Sequence, residues 1–150
     1  MGTIERLHGK IIFVDTAPFI YYIEELGDYS DVLREFFTVL DEGHVRAVTS
    51  VITMMEVLVK PYRLKLNNLV SQFEKTILNK MYIEVVGITL EIARLAAQIR
   101  AENKIALADA IQLATADYYH AAFFLTNDKR LHQVTNTKIV YLDNLVSGDF

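Results

Sequence analysis

Apolar and polar positions along the chain fall into two alternating rhythms. Ile11-Ile12-Phe13-Val14 is a continuous apolar run, β-branched and aromatic, which reads as a strand buried on both faces. It stops at Asp15-Thr16, and Pro18, tolerated in a first helical turn, predicts a helix through Phe19, Tyr22, Ile23 and Leu26 that ends at Gly27. Val32, Leu33, Phe36, Phe37 and Leu40 share a second helical stripe ending near Gly43, and Val45 to Thr49 forms the next strand. Helix follows from Val51 to Lys60, where Pro61 is expected to break it. Leu66, Leu69, Phe73 and Ile77 recur at three- and four-residue spacing, so Tyr62 to Lys80 is expected to be amphipathic helix.

The second half keeps the same rhythm. Tyr82 to Val86 reads as a strand and Gly87 as a turn; Ile92, Leu95, Ala96 and Ile99 mark a helix capped by Thr89. A helix from Leu107 to about Tyr119 precedes a strand at Ala122 to Thr126, a short helix at Asp128 to Val134 and a last strand at Ile139 to Leu142. Regular alternation of this kind predicts an α/β fold, a central and mostly parallel sheet with helices on both faces. No repeat, linker or low-complexity tract interrupts it, so residues 1–150 are expected to form one domain.

Composition narrows the classes of function. The chain is 52% hydrophobic and 23% charged, which excludes a disordered reading. Cysteine is absent, removing a disulfide framework, a thiolate zinc site and a cysteine nucleophile together, and suiting a reducing cytoplasm. Met1 to Lys10 lacks the make-up of a signal peptide. The most apolar stretch, Ile105 to Leu125, is interrupted by Asp109, Gln112, Asp117 and His120, so no membrane span is expected and the chain reads as soluble and intracellular. With a net charge of −4, any nucleic-acid contact must be local rather than a general basic coat.

Several chemistries can be struck out. Neither the dinucleotide fingerprint nor the phosphate-loop motif occurs, and there is no G-x-S-x-G elbow. His8, His44, His120 and His132 are scattered without zinc-ligand spacing and read as surface or satisfied residues. What remains is carboxylates at strand ends, where open parallel sheets bind their ligands. Asp15 directly follows the first strand, and Asp128 follows Phe123-Phe124-Leu125-Thr126 by two residues. Glu56 lies one or two turns into the helix after the second strand. Asp109 lies in the first turn of its own helix, with Gln112 on the same face.

Each acid also has an ordinary explanation. Asp15 and Asp128 could cap helices, Glu56 could close a capping box with Thr53, and Asp109 could face a helix dipole. Together they favour a site, because the topology sends all four to one end of one sheet. Two unit charges about 4 Å apart repel by about 4 kcal/mol at an effective dielectric near 20. A hard cation, Mg²⁺ or Mn²⁺, suits an oxygen-only donor set and offsets that repulsion. Phosphodiester hydrolysis is the reaction class that follows.

The segments Ile11-Ile12-Phe13-Val14-Asp15-Thr16, Thr49-Ser50-Val51-Ile52-Thr53-Met54-Met55-Glu56-Val57-Leu58, Ala108-Asp109-Ala110-Ile111-Gln112-Leu113-Ala114-Thr115-Ala116 and Phe124-Leu125-Thr126-Asn127-Asp128, in this order, resemble the PIN domain. The resemblance is greatest to VapC-like toxins of bacterial and archaeal toxin–antitoxin pairs, and it extends to Ile139-Val140-Tyr141-Leu142-Asp143. It implies a PIN-like α/β/α sandwich and a Mg²⁺- or Mn²⁺-dependent endoribonuclease. Asp15, Glu56, Asp109 and Asp128 would be its catalytic acids, with Asp15, Asp109 and Asp128 on the metal. Thr16, Thr126 and Lys129 would lie on the substrate side, Thr126 also orienting the last acid. It further implies a homodimer with a small cognate antitoxin; because arginine pairs bidentately with carboxylates, a basic segment of that antitoxin is expected to enter the acid cluster.

The chain departs from the family pattern in having Ala17 where many members carry asparagine, and Ala108 where proline is frequent. Lys60, Arg63, Lys104, Lys129 and Arg130 are candidate phosphate contacts, or simply solvated charges. The stripe Leu66, Leu69, Phe73 and Ile77, beside Tyr21 and Tyr22, reads either as a partner groove or dimer face, or as core.

Other readings are weaker. A phosphatase of the haloacid-dehalogenase type needs a second aspartate where Ala17 stands, and a receiver domain needs paired early acids and a late strand-end lysine. A PIN nuclease of RNA maturation, or an idle PIN fold acting as a binding module, also fits the pattern.

Overall fold

The apolar run Ile11–Val14 forms β1, the central strand of a five-stranded sheet in the computed structural model, which describes residues 2–150. Around it lie β2 (Arg46–Ser50), β3 (Ile83–Val86), β4 (Phe123–Thr126) and β5 (Lys138–Tyr141), in the order β3-β2-β1-β4-β5. Every pairing is parallel. The chain builds one half of the sheet through β2 and β3, then crosses to the other side of β1 for β4 and β5. The strand order therefore reverses between β1 and β4, and a crevice opens there at the carboxyl ends of both strands.

Period-two alternation along the strands divides the core. Ile12, Val14, Ala47, Ile83, Leu125 and Val140 face one layer of helices, while Phe13, Val48, Val86 and Phe124 face the other. The first layer holds α1 (Thr16–Ile23), α2 (Ser30–Asp41), α3 (Val51–Arg63), α4 (Asn67–Leu78) and α7 (Leu142–Ser147), packed through large side chains such as Phe19, Phe36, Phe37 and Phe73. The second holds α5 (Leu90–Glu102) and α6 (Leu107–Tyr118), whose Ala96, Ala110, Ala114 and Ala116 admit close approach to the sheet. Phe13 and Phe124 stack on that face with centroids 5.0 Å apart. This is the expected α/β/α sandwich, with a wholly parallel sheet. No helix among the described residues is long and apolar enough to cross a membrane.

Differences from the expected elements have local causes. Helix α1 stops at Ile23, short of Leu26, because Glu25 turns left-handed (φ 50°) and the Leu26 N–H reaches back to the Tyr21 carbonyl at 3.0 Å. Pro61 does not end α3. It is buried in the last turn, and the helix closes at Arg63 when Lys65 turns left-handed (φ 56°) and the Leu66 N–H bonds the Pro61 carbonyl at 2.9 Å. This break also delays α4 to Asn67. Phe73 and Ile77 are core, Leu69 packs partly against it, and Leu66 is exposed, so most of that stripe is interior. Tyr22 stacks on Phe37 at 4.0 Å.

The expected helix at Asp128 to Val134 does not form. Asp128 makes a single turn, its carbonyl accepting the Leu131 N–H at 3.2 Å, and the chain then runs irregularly to β5. A short helix, α7, follows β5 where strand was expected to continue through Leu142.

Candidate active site

The crevice between β1 and β4 collects the acids. Asp15 occupies the N-cap position of α1, and its backbone N–H continues the sheet by bonding the Leu125 carbonyl at 3.0 Å. Its side chain makes no cap bond; Pro18 lacks the N–H that an N3 residue would offer. The carboxylate is instead held by two neutral partners. Thr126 Oγ1 donates to Oδ2 at 2.8 Å, and Gln112 Nε2 donates to Oδ1 at 3.3 Å. Burial pushes the Asp15 carboxyl above its ordinary value; the Thr16 backbone N–H and then these two side-chain donors offset part of the rise, and the Glu56 charge adds to it.

Gln112 is the hub of this inner half. It is 1% exposed. Its Nε2 also donates to Thr53 Oγ1 at 2.7 Å, and its Oε1 accepts from Ser50 Oγ. Ser50 in turn caps α3 by accepting from the Ile52 N–H at 3.1 Å. Thr53 is therefore not half of a capping box, and Glu56, exposed on α3, accepts from Thr16 Oγ1 at 2.7 Å. Sequence reasoning placed Gln112 beside Asp109 without giving it a task, and passed over Ser50. The signals were a lone amide inside the Ala-rich stretch of α6, and a serine immediately before the apolar start of α3.

The outer half is organised differently. Asp109, half-buried in the first turn of α6, has its carboxyl raised first by burial and then by the charges of Asp15 and Asp128, against a smaller opposing effect of Arg130. Asp128 receives the Arg130 fork, Nε to Oδ1 at 2.9 Å and Nη2 to Oδ2 at 2.7 Å, while its own N–H bonds Thr126 Oγ1 at 3.1 Å. The guanidinium holds the Asp128 carboxyl below the usual range. Lys129 pairs with Asp143 at 2.5 Å, and Asp143 also accepts from the Tyr29 hydroxyl at 2.6 Å, which pushes that hydroxyl up to about 12. Of the other basic candidates, Lys60 pairs with Glu24 at 3.3 Å, while Arg63 and Lys104 are exposed.

The four acids thus share one end of the sheet, although among the described residues no three His, Asp or Glu side chains stand close enough to enclose one ion. The donors are all oxygen, and two of the carboxyls are raised by burial or like charge. That fits a hard cation of the Mg²⁺ type, which keeps several waters and binds through one or two carboxylates rather than a full protein cage.

Comparison with known proteins agrees with this architecture. In the structure of VapBC2 from Rickettsia felis bound to a promoter DNA fragment, a chain superposes with a TM-score of 0.66 at 15% identity, covering 87% of this chain and 98% of that one. A chain of a toxin–antitoxin complex from Klebsiella pneumoniae gives 0.62 at 25% identity, with 87% and 97% covered. A VapC toxin of Mycobacterium tuberculosis that cleaves the sarcin-ricin loop gives 0.61 at 14% identity, with 75% and 86% covered. No curated protein matches the sequence significantly. The family model for the PIN domain matches residues 12–136, from β1 to the loop before β5 and across all four acids. The chain belongs to the PIN-domain family.

Proposed function

We propose that the chain is a metal-dependent endoribonuclease and the toxin of a toxin–antitoxin pair. The observation that carries this reading is Asp15, a carboxylate at the strand-order reversal whose hydrogen-bond partners, Gln112 and Thr126, are both neutral. They fix its direction and leave its charge available. Asp15 and Asp109 would hold Mg²⁺ or Mn²⁺, joined by Asp128 with its oxygens free of Arg130. When bound, the cation supplies positive charge to phosphate oxygens and lowers the pKa of water. Thr126 keeps Asp15 and the Asp128 loop in register, Thr16 steadies Glu56, and Glu56 orders water at the exposed lip. Lys129, on the outer rim, contacts the RNA backbone.

The solved relatives support the partner side of the reading, since they include toxin–antitoxin complexes and a toxin that cleaves RNA. An acidic crevice of this kind suits an arginine of a small antitoxin, whose fork pairs with carboxylates. A homodimer of the toxin is part of the same reading.

The test is cleavage of total RNA by the purified chain. Cutting is expected with Mn²⁺, lost with EDTA and lost in Asp15→Asn, and inhibited by the product of the neighbouring gene. Activity that survives EDTA, or full activity in Asp15→Asn, refutes the metal mechanism. Cutting that no neighbouring gene product inhibits replaces the toxin by a PIN nuclease of RNA processing.

A further inference from the structure

The loop carrying Asp128 is anchored on both sides, and the Arg130 backbone N–H donates to Asp128 Oδ1 at 3.0 Å, while the Arg130 guanidinium stands apart from that anchoring. Asn127 Nδ2 donates to the Tyr21 hydroxyl at 3.2 Å, and the Leu131 carbonyl accepts from the Tyr141 hydroxyl. Leu131 is buried, 4% exposed. Arg130, between Lys129 and Leu131, has a side chain that is 86% exposed and engages Asp128 alone. Its guanidinium can therefore leave Asp128 by side-chain rotation, with the backbone held by its neighbours. While it stays, its fork occupies both Asp128 oxygens and lies within electrostatic reach of Asp109.

We propose that Arg130 is a partner-exchanging guanidinium, closing Asp128 before a divalent cation binds and passing to an RNA phosphate once the cation takes that carboxylate. The same planar fork matches carboxylate and phosphate, so the exchange swaps one bidentate pair for another. The inference rests on the nuclease reading above and adds a residue that regulates the site and contacts substrate. It implies that Arg130 opposes the cation and assists the RNA.

Two titrations of the intact chain and of R130Q test it. Mn²⁺ affinity is read by calorimetry, and binding of a labelled single-stranded RNA by anisotropy in Ca²⁺ across a salt series. R130Q should bind Mn²⁺ about three-fold more tightly, the scale of one exposed ion pair. It should bind RNA more weakly, with a log–log salt slope shallower by about 0.7, one phosphate contact on a single strand. A residue that only supports the loop would move both affinities in the same direction, so that result, or no change in either, overturns the inference. If the unmodified chain binds no Mn²⁺, the nuclease reading itself fails, and this inference with it.

Discussion

Asp15 and Asp128 lie at the ends of adjacent parallel strands and share Thr126 as a hydrogen-bond partner, yet they are held by opposite means. Asp15 sits in a ring of hydroxyl and amide groups built by α3, α6 and β4, with neutral donors on both oxygens. Asp128, nearer solvent, has a guanidinium on both of its oxygens. Neutral donors orient a carboxylate without cancelling its charge; a guanidinium does both. Burial raises the first carboxyl in spite of its neutral donors, and the guanidinium lowers the second. Protein charge is neutralised at the rim, where Arg130 pairs with Asp128 and Asp143 takes both Lys129 and the Tyr29 hydroxyl, and left open at the centre. The open position is where an external cation has most to gain.

Removing the hub should abolish the contrast most completely. Gln112→Ala leaves the Ser50 and Thr53 hydroxyls and one Asp15 oxygen without their partner in a buried setting, and should lower stability by about 2–3 kcal/mol in urea unfolding. Cleavage by the same variant should fall about 10–100-fold, the usual cost of losing a group that orients a ligand.

A paired comparison of smaller size sharpens the contrast by sign. Asp109 has a raised carboxyl, so its charge costs stability above its folded pKa, and the cost disappears below the unfolded value. Asp109→Asn should therefore raise the melting temperature of the metal-free protein near pH 7, with the gain vanishing at about pH 3. Asp128 has a lowered carboxyl, so its stabilisation is present above the unfolded value and lost as pH falls through the folded one. Asp128→Asn should lower the melting temperature near pH 7, by less than the 2–4 °C or so that about 1 kcal/mol produces in a chain of this size, because the Arg130 side of the pair is largely exposed. Shifts of the same sign in both variants would remove the distinction between centre and rim.

Much of this arrangement was legible from the order of residues. Strand β1 and the Thr89 cap of α5 stand where local pattern puts them, and the four acids stood out because each follows a strand or lies in the opening turns of a helix with a clear apolar signature. Helix ends were less legible. Glu25, Lys65 and His120 take left-handed positions more often filled by glycine, and the reach-back bonds that stabilise them depend on how the next segment packs. Asp128 to Val134 looked helical because a polar residue precedes scattered apolar ones, but Arg130 draws the aspartate into a single turn. The hub escaped detection for another reason. Gln112 meets Ser50 and Asp15 across 62 and 97 residues of chain, and such contacts exist only once the sheet has assembled.

The most direct measurement is an NMR titration of the side-chain carboxyl carbons of Asp15, Asp109 and Asp128, repeated in saturating Mg²⁺. Without metal, Asp15 and Asp109 should titrate above the ordinary aspartate range and Asp128 below it. Mg²⁺ should bring Asp15 and Asp109 down. Three ordinary titrations, or raised values for Asp15 and Asp109 that Mg²⁺ leaves in place, would contradict the claim that the centre of this edge is built to receive a cation.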